Sequence, residues 1–461
     1  MFMSPIKAAL AAEDARCVTL GEIIGAFTYA LDLTEGQPEG HCLRCCWIGM
    51  QVGRTIGLPE ASLGELYYAL LLKDAGCSSN AARVCALYLA DDREFKRDYK
   101  LVDSGSGAAM RFVLDHTGLQ SGLLERYRTI FKIFRNGSEI ARELTETRCQ
   151  RGADIARQLH LSEGIAAGIH NLDEHWDGSG LPSGLRGAAI PIYSQIALLT
   201  QVFDVFHQSA GPTAAIEEIK RRANRWFDPE LVRALVAVAA VSDFWIQLAS
   251  TDLDDHVFAL EPGRFPIELS DGYLDDIVMA FGQVVDAKSP FTAGHSSRVA
   301  HYADSLCLQL GLAAEHRQWI RRAAAMHDIG KLGVSNSVLD KPGKLEGNEW
   351  TQMMDHTRHT AAILSRSAAF GDMADIAAAH HERLDGKGYP YGLAQDRITL
   401  ETRIISVADF FDALTADRPY RSALPVEKAL DIMRENVGNA LDPVVFAALL
   451  ETLDTIVPAK A

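Results

Sequence analysis

Seven side chains in the second half of the sequence have the types and spacing of a metal-binding set: His295, the pair His327-Asp328, His356, the pair His380-His381, and Asp409. Imidazoles and two carboxylates without a thiolate suit a borderline-hard divalent ion at a hydrolytic centre better than a structural zinc. Water activation is the chemistry such a set would perform. His327 and Asp328 are adjacent, so their side chains diverge; the imidazole can hold one ion while the carboxylate bridges two, which makes Asp328 the bridging candidate. Two ions about 3.5–4 Å apart lower the pKa of water and clamp the oxygens of an in-line phosphoryl displacement. A nucleophile then exists at neutral pH without a Ser or Cys.

The surrounding words are specific. Asp328 lies in His327-Asp328-Ile329-Gly330-Lys331, followed by Lys341-Pro342-Gly343-Lys344-Leu345, and the second His pair opens His380-His381-Glu382-Arg383-Leu384-Asp385-Gly386-Lys387-Gly388-Tyr389-Pro390. With Arg298-Val299-Ala300, Asp412-Ala413-Leu414 and Arg418-Pro419-Tyr420-Arg421, this ordered set resembles the HD-GYP family of bacterial cyclic-dinucleotide phosphodiesterases, a branch of the all-helical HD phosphohydrolases. The resemblance runs from about Asp275 to Pro443. It implies that His295, His327 and Asp409 complete the shell of one metal and His356, His380 and His381 that of the other, with Asp328 between them. Some members hold a third metal through a Glu four residues before the first His; Phe291 stands there, which favours two. Iron or manganese fits the set, iron being favoured by the resemblance, and ligand type alone leaves zinc open. Lys331, three residues past Asp328, would share its helical face and offer a point cation to the scissile phosphate. The resemblance assigns substrate contacts to Lys331, Tyr389, Arg418 and Arg421, and Asp412 reads as the hydrogen-bond partner that orients a metal ligand.

A degenerate repeat occupies the first half. Leu172-Asp173-Glu174-His175-Trp176-Asp177-Gly178-Ser179-Gly180-Leu181-Pro182 parallels the segment from His380, each residue 208 positions before its counterpart; the same spacing relates Arg148 to His356, Gln201 to Asp409 and Asp204 to Asp412. Upstream, His41, Arg44 and Lys73-Asp74 precede His295, Arg298 and His327-Asp328 by 254, so the first copy carries 46 extra residues between Cys77 and Arg148. It keeps His41 and Asp74 but has Lys73, Arg148, Leu172, Asp173 and Gln201 at the other ligand positions, and is expected to hold no dinuclear centre. Lys73 and Arg148 are expected to supply the missing positive charge by pairing with Asp74 and Asp173, since a buried carboxylate without a partner is costly.

The elements that must position these residues read as helices. Val299, Tyr302, Ala303, Leu306 and Leu310 follow helical spacing after His295, Ile320, Ala323 and Ala324 lead into His327 likewise, and Gly311 is a plausible stop. The Pro- and Gly-rich words form loops at the rim. The expected architecture is all-α, with tandem helical HD-type domains: a tail at 1–20, a degenerate regulatory or dimerising copy at 21–258, a linker at 259–272 containing Pro262 and Pro266, and a catalytic copy at 273–461. Asp103-Ser104-Gly105-Ser106-Gly107 is expected as an exposed loop.

A chain of 461 residues with 48% hydrophobic and 23% charged residues, and no long apolar run, is expected to be globular, without a membrane span. The N-terminus lacks a signal-peptide core, and eight cysteines without a small-scaffold pattern fit a reducing compartment, so a cytoplasmic location is expected. Cys42, Cys45 and Cys46 lie in an apolar helical stretch, where cysteine behaves as a small hydrophobe. A net charge of -16 argues against DNA as a partner. The leading expectation is hydrolysis of cyclic di-GMP to the linear dinucleotide and onward to GMP. Cyclic GMP-AMP is the rival substrate, because some family members with a degenerate first copy have it. A catalytically idle cyclic-dinucleotide receptor or interaction module is the rival class, against which the intact ligands and Lys331 speak. Other expected partners are a second copy of the chain, and a protein meeting the Gly-Tyr-Pro loop.

Overall fold

The computed structural model describes residues 18–102, 106–119, 121–261, 270–418 and 421–456. The expected N-terminal tail through residue 17, the middle of the expected linker and residues 103–105 of the expected loop lie outside the described residues. Within them the chain is all-α, as its periodicity requires, with no β-strand. No single described helix is long and apolar enough to cross a membrane.

The two copies run through matching elements. Leu20–Glu35, His41–Thr55, Glu60–Leu71 and the 3-10 turn Cys77–Asn80 correspond to Asp271–Asp286, His295–Gln309, Ala314–Met326 and the 3-10 turn Ile329–Gly333. The long helix Leu123–Gln158, bent at Asn136, ends on the counterpart of Asn348–Leu364, and Ile192–Arg222, broken at Gly211 and Pro212, begins on that of Leu400–Thr415. Local chemistry repeats too. The second helix of each copy begins after a left-handed glycine, Gly40 (φ 82) or Gly294 (φ 70). An aspartate from the preceding helix then accepts a backbone N–H in its first turn, Cys42 N to Asp32 at 3.0 Å and Ser296 N to Asp286 at 3.2 Å. His295–Gln309 stops where expected: Gly311 has φ 74, and Leu312 N donates back to Cys307 O at 3.0 Å.

The copies do not form two separate cores. One apolar cluster runs through both, and Phe27 stacks on Phe281, its own counterpart in the other copy, with ring centroids 3.7 Å apart. Contacts across this seam are reciprocal. Leu20–Glu35 packs on the turn Ile329–Gly333 while Asp271–Asp286 packs on Cys77–Asn80; Leu20–Glu35 also meets Asn348–Leu364 as Asp271–Asp286 meets Leu123–Gln158. This is the isologous pattern of a two-fold dimer, built within one chain. A buried ion pair crosses it as well: Lys288 Nζ stands 3.4 Å from Asp92, both side chains fully enclosed, and Asp92 also accepts from Asn336 N at 2.8 Å.

The 46 extra residues contain the helices Ala81–Tyr88, Asp92–Tyr99 and Ser106–His116, which lie over the first copy and form a small apolar cluster of their own around Val84, Phe95 and Phe112.

Because the seam is part of the only large core among the described residues, Phe27→Ala and Phe281→Ala are each expected to destabilise the whole chain by about 3–5 kcal/mol. Chemical denaturation followed by circular dichroism and tryptophan fluorescence should show one transition at a lower midpoint. Two separated transitions, with only the mutated copy shifted, would mean that the copies fold independently.

Candidate metal centre

All seven expected ligands converge. His295 is the first residue of its helix, His327 ends Ala314–Met326, and Asp328 opens the 3-10 turn that follows. His356 projects from Asn348–Leu364, His380 and His381 from the 3-10 turn Ala379–His381, and Asp409 from Leu400–Thr415. Two donor groups result, His295 with His327 and Asp409, and His356 with His380 and His381. Asp328 stands between them. Its Oδ2 lies 3.2 Å from His295 Nε2 and 3.3 Å from His327 Nε2, while its Oδ1 lies 3.5 Å from His356 Nε2 and 3.7 Å from His380 Nε2.

The imidazoles are oriented by what their outer nitrogens touch. Nδ1 of His327, His356 and His380 donates to the carbonyls of Ala324, Met353 and Ala377 at 2.7, 2.5 and 2.6 Å, and Nδ1 of His295 donates to Asp412 at 2.7 Å. The proton is thereby fixed on Nδ1 and the Nε2 lone pair is aimed inward. Asp412 is itself held by Arg298, whose Nε is 2.6 Å away. Asp412 is thus hydrogen-bonded between His295 and Arg298.

This donor set fits cations. Nε2 atoms face each other at 3.3 Å (His295 and His327) and 3.4 Å (His356 and His380), and Oδ1 of Asp328 is buried without a hydrogen-bond donor. The electrostatics agree. Burial lowers His356 to about 3 and His381 to about 4, keeping them neutral, whereas at His327 burial is outweighed by Asp328 and Asp409, which push it up to about 10. The carboxylate side of the site thus favours a positive charge.

Lys331 does meet Asp328, its ammonium reaching Oδ2, but through a 3-10 turn and not the α-helical turn expected. Residues i and i+3 eclipse in a 3-10 helix, so the contact is tighter than an α-helical spacing provides. Tyr389 covers the second donor group, its ring 4.8 Å from that of His381. Arg421 points elsewhere: its guanidinium donates to the carbonyls of Ala413 and Leu414, capping Leu400–Thr415, and its backbone pairs with Arg418. His316 pairs with Glu401 at 3.0 Å, and His359 lies against Gly333; neither joins the cluster.

Three supporting residues were not anticipated. Glu382 pins the Gly-Tyr-Pro loop by accepting from Tyr391 N at 2.6 Å and Leu393 N at 2.8 Å. Thr360 ties the turn to the His356 helix, accepting from Gly330 N at 3.0 Å and donating to His327 O at 2.9 Å. Gly330 is where the two backbones touch: a Cβ there would lie 1.8 Å from His356 O. Sequence signals existed for Glu382 and Gly330, since both recur in the first copy as Glu174 and Gly76, and a Cβ on Gly76 would lie 1.9 Å from Arg148 O.

In the first copy the cations are protein. Lys73 Nζ contacts Asp74, donates to His41 Nε2 at 3.0 Å and to Gln201 at 3.3 Å, so it takes the place of an ion among the counterparts of His295, Asp328 and Asp409. Arg148 pairs with Asp173, as expected. His41 and Arg44 share Asp204 just as His295 and Arg298 share Asp412, with His41 Nδ1 at 2.7 Å. Burial lowers His41 to about 4 and raises Cys45 to about 12, so the Cys42, Cys45 and Cys46 group consists of enclosed thiols.

The HD domain family profile matches residues 133–231 and 280–445, one stretch in each copy. A 3′3′-cGAMP-specific phosphodiesterase 3 of Vibrio cholerae is 51% identical over 437 residues, covering 95% of both chains. The cyclic di-GMP phosphodiesterase response regulator RpfG of Xanthomonas campestris is 41% identical over 170 residues, covering 36% of this chain and 45% of its own. Among solved structures, a cyclic GMP-AMP-specific phosphodiesterase of V. cholerae superposes with a TM-score of 0.66 at 46% identity, over 95% of this chain and 98% of that one.

Gly330→Ala is expected to push the turn off the His356 helix and separate the two donor groups. Metal content by mass spectrometry should fall to background while helical circular dichroism persists. Full metal occupancy in this variant would contradict the geometric role given to the glycine.

Proposed function

The chain belongs to the HD-domain phosphohydrolases, in their HD-GYP branch, and on that premise we propose that its second copy hydrolyses a 3′,5′-phosphodiester of a cyclic dinucleotide, with 3′3′-cGAMP preferred over cyclic di-GMP. One observation carries the substrate preference: similarity to the cGAMP-specific relative extends through the degenerate first copy, whereas the similarity to the cyclic di-GMP relative covers only 36% of the chain. That resemblance to the shorter match keeps cyclic di-GMP as the second reading.

His295, His327 and Asp409 would hold one divalent ion, His356, His380 and His381 another, and Asp328 would touch both; iron and manganese are the ions this set best accommodates. When bound, such ions supply Lewis-acid stabilisation and acidify water. The chain's own residues do the rest. The Nδ1 contacts to carbonyls and to Asp412 keep each ligand in the tautomer that presents a lone pair. Lys331 reaches Asp328 Oδ2, and from that position its ammonium would meet a non-bridging phosphate oxygen, where charge develops in the transition state. Tyr389, tilted against His381 and edge-on to Trp350, offers a flat wall to a base, and Arg418 is held at the rim by its backbone pairing to Arg421. We place Lys331, Tyr389 and Arg418 at the substrate and give Arg421 the task of fixing their loop.

Protein purified anaerobically, loaded with iron or manganese and incubated with each nucleotide, should convert 3′3′-cGAMP to linear product faster than cyclic di-GMP in product chromatography. Equal rates, or the reverse order, would remove the substrate preference, and no turnover of either with both ions bound would favour a receptor. Lys331→Ala should lose about 10²–10³ in kcat while retaining both metals. Loss of metal in that variant would make Lys331 structural.

A further inference from the structure

A cavity outside the metal centre lies in the first copy, where Arg148, Asp173, Leu181 and Gln201 stand for His356, His381, Tyr389 and Asp409. It encloses about 380 Å³, within the range of small-molecule sites, and is roofed by the extra helices. Its lining is divided. One end carries Lys96, Lys100 and Arg148 with the carboxylates Glu35 and Asp173; the remainder is apolar and aromatic, including Phe95, Tyr99, Val202 and Trp226.

The charged end is built for an anion. Three cations line it against two carboxylates, and His175, which also lines it, is lowered by burial to about 4 and so is neutral. Asp74, behind, is shared by Lys73 and Lys100, so the full group is four cations, Lys73 included, against three carboxylates. Among the described residues one positive charge is therefore in excess in a partly enclosed space, where an uncompensated charge is costly. Lys100 lies at this end with its side chain only 10% exposed; its ammonium stands 2.8 Å from Glu35 and 3.9 Å from Asp74 but satisfies no hydrogen bond with either. At the other end Tyr99 lies nearly parallel to Phe95, at 7° and 6.2 Å, and Trp226, held by the Arg222 guanidinium at 3.9 Å and the stacked His175 ring at 4.2 Å, completes an apolar wall that a planar ring can pack against.

The same short helix that supplies Phe95, Lys96 and Tyr99 reaches the other copy with its first residues. Asp92 accepts from Asn336 N and pairs with Lys288, and Arg93 donates to Gly333 O, the last residue of the turn that carries Lys331. A ligand that shifts Asp92–Tyr99 thus bears directly on the turn after Asp328.

We propose that this cavity binds an anion of mononucleotide size, a planar ring system bearing one phosphate or carboxylate, and that the helix Asp92–Tyr99 couples its occupancy to turnover in the second copy. Lys96, Lys100 and Arg148 hold the acidic group and the apolar and aromatic walls hold the ring. The site is distinct from the metal centre, and its existence does not depend on which cyclic dinucleotide is cleaved.

Calorimetry on full-length, metal-loaded protein tests this, with GMP and AMP as nucleotide probes and indole-3-acetate as a ring carboxylate without a sugar. Binding of any of these is expected to weaken about tenfold or more in Lys100→Met, which removes a charge-assisted contact. Thr145→Trp, which fills the cavity without altering charge, should weaken it similarly, with metal content and helicity unchanged in both variants. The nucleotide and indole arms separate the two sources of the anion. If none of the three binds at millimolar concentration, or if binding is untouched by both variants, the site is refuted. Occupancy should also change the rate of cyclic-dinucleotide hydrolysis, and Arg93→Ala should retain binding but lose that change; a bound ligand without effect on the wild-type rate would refute the coupling.

Discussion

The packing of one copy against the other is the interaction on which everything else rests. Phe27 meets Phe281 at the centre of a single apolar cluster, and each copy's first helix lies on the 3-10 turn of the other. The turn that carries Asp328 and Lys331 is therefore clamped from two sides, by Thr360 and the backbone of His356 within its own copy and by Leu20–Glu35 from the first. Metal ligands must be held within fractions of an ångström to be useful, and rigid packing provides this more cheaply than loops can. The first half of the chain thus serves the second half structurally even where it does no chemistry.

The same fold solves one electrostatic problem in two ways. Buried carboxylates and inward-facing lone pairs require positive charge nearby. In the second copy a set of imidazoles and carboxylates leaves that charge to be brought from outside. In the first, Lys73 and Arg148 have moved it onto the chain, and the His41-Arg44-Asp204 triangle persists beneath them with its hydrogen bonds intact. The helices that frame the site keep their order in both copies while five of the seven ligand positions differ.

Much of this was legible beforehand, for identifiable reasons. The seven converging residues could be picked out because metal binding restricts residue type, the repeat because two constant spacings linked chemically matched positions, and the all-α class because the apolar period is helical. The pairings Lys73 with Asp74 and Arg148 with Asp173 followed from the cost of a lone buried charge. Other features could not be read. A division into two bodies joined by a linker was expected, but helical periodicity marks which face is buried and not what covers it, so the shared core was invisible. Lys96, Lys100 and Glu35 escaped because two of them belong to the extra segment, which has no counterpart for comparison. The capping role of Arg421 was obscured by its place in a substrate-associated motif, and the contribution of Glu382 is made to backbone N–H groups, which no side-chain pattern records.

A two-fold assembly of separate chains meets as a matter of concentration, and any amino-acid change in such a chain is imposed on both halves at once. Here the partners are tethered, so dilution cannot part them, and their mutual affinity needs to exceed only what the tether's effective concentration leaves unsupplied. Each half also inherits independently. Phe27 and Phe281 must remain matched because they touch, but Lys73 and His327 do not have to agree, and their divergence is the visible record of that freedom.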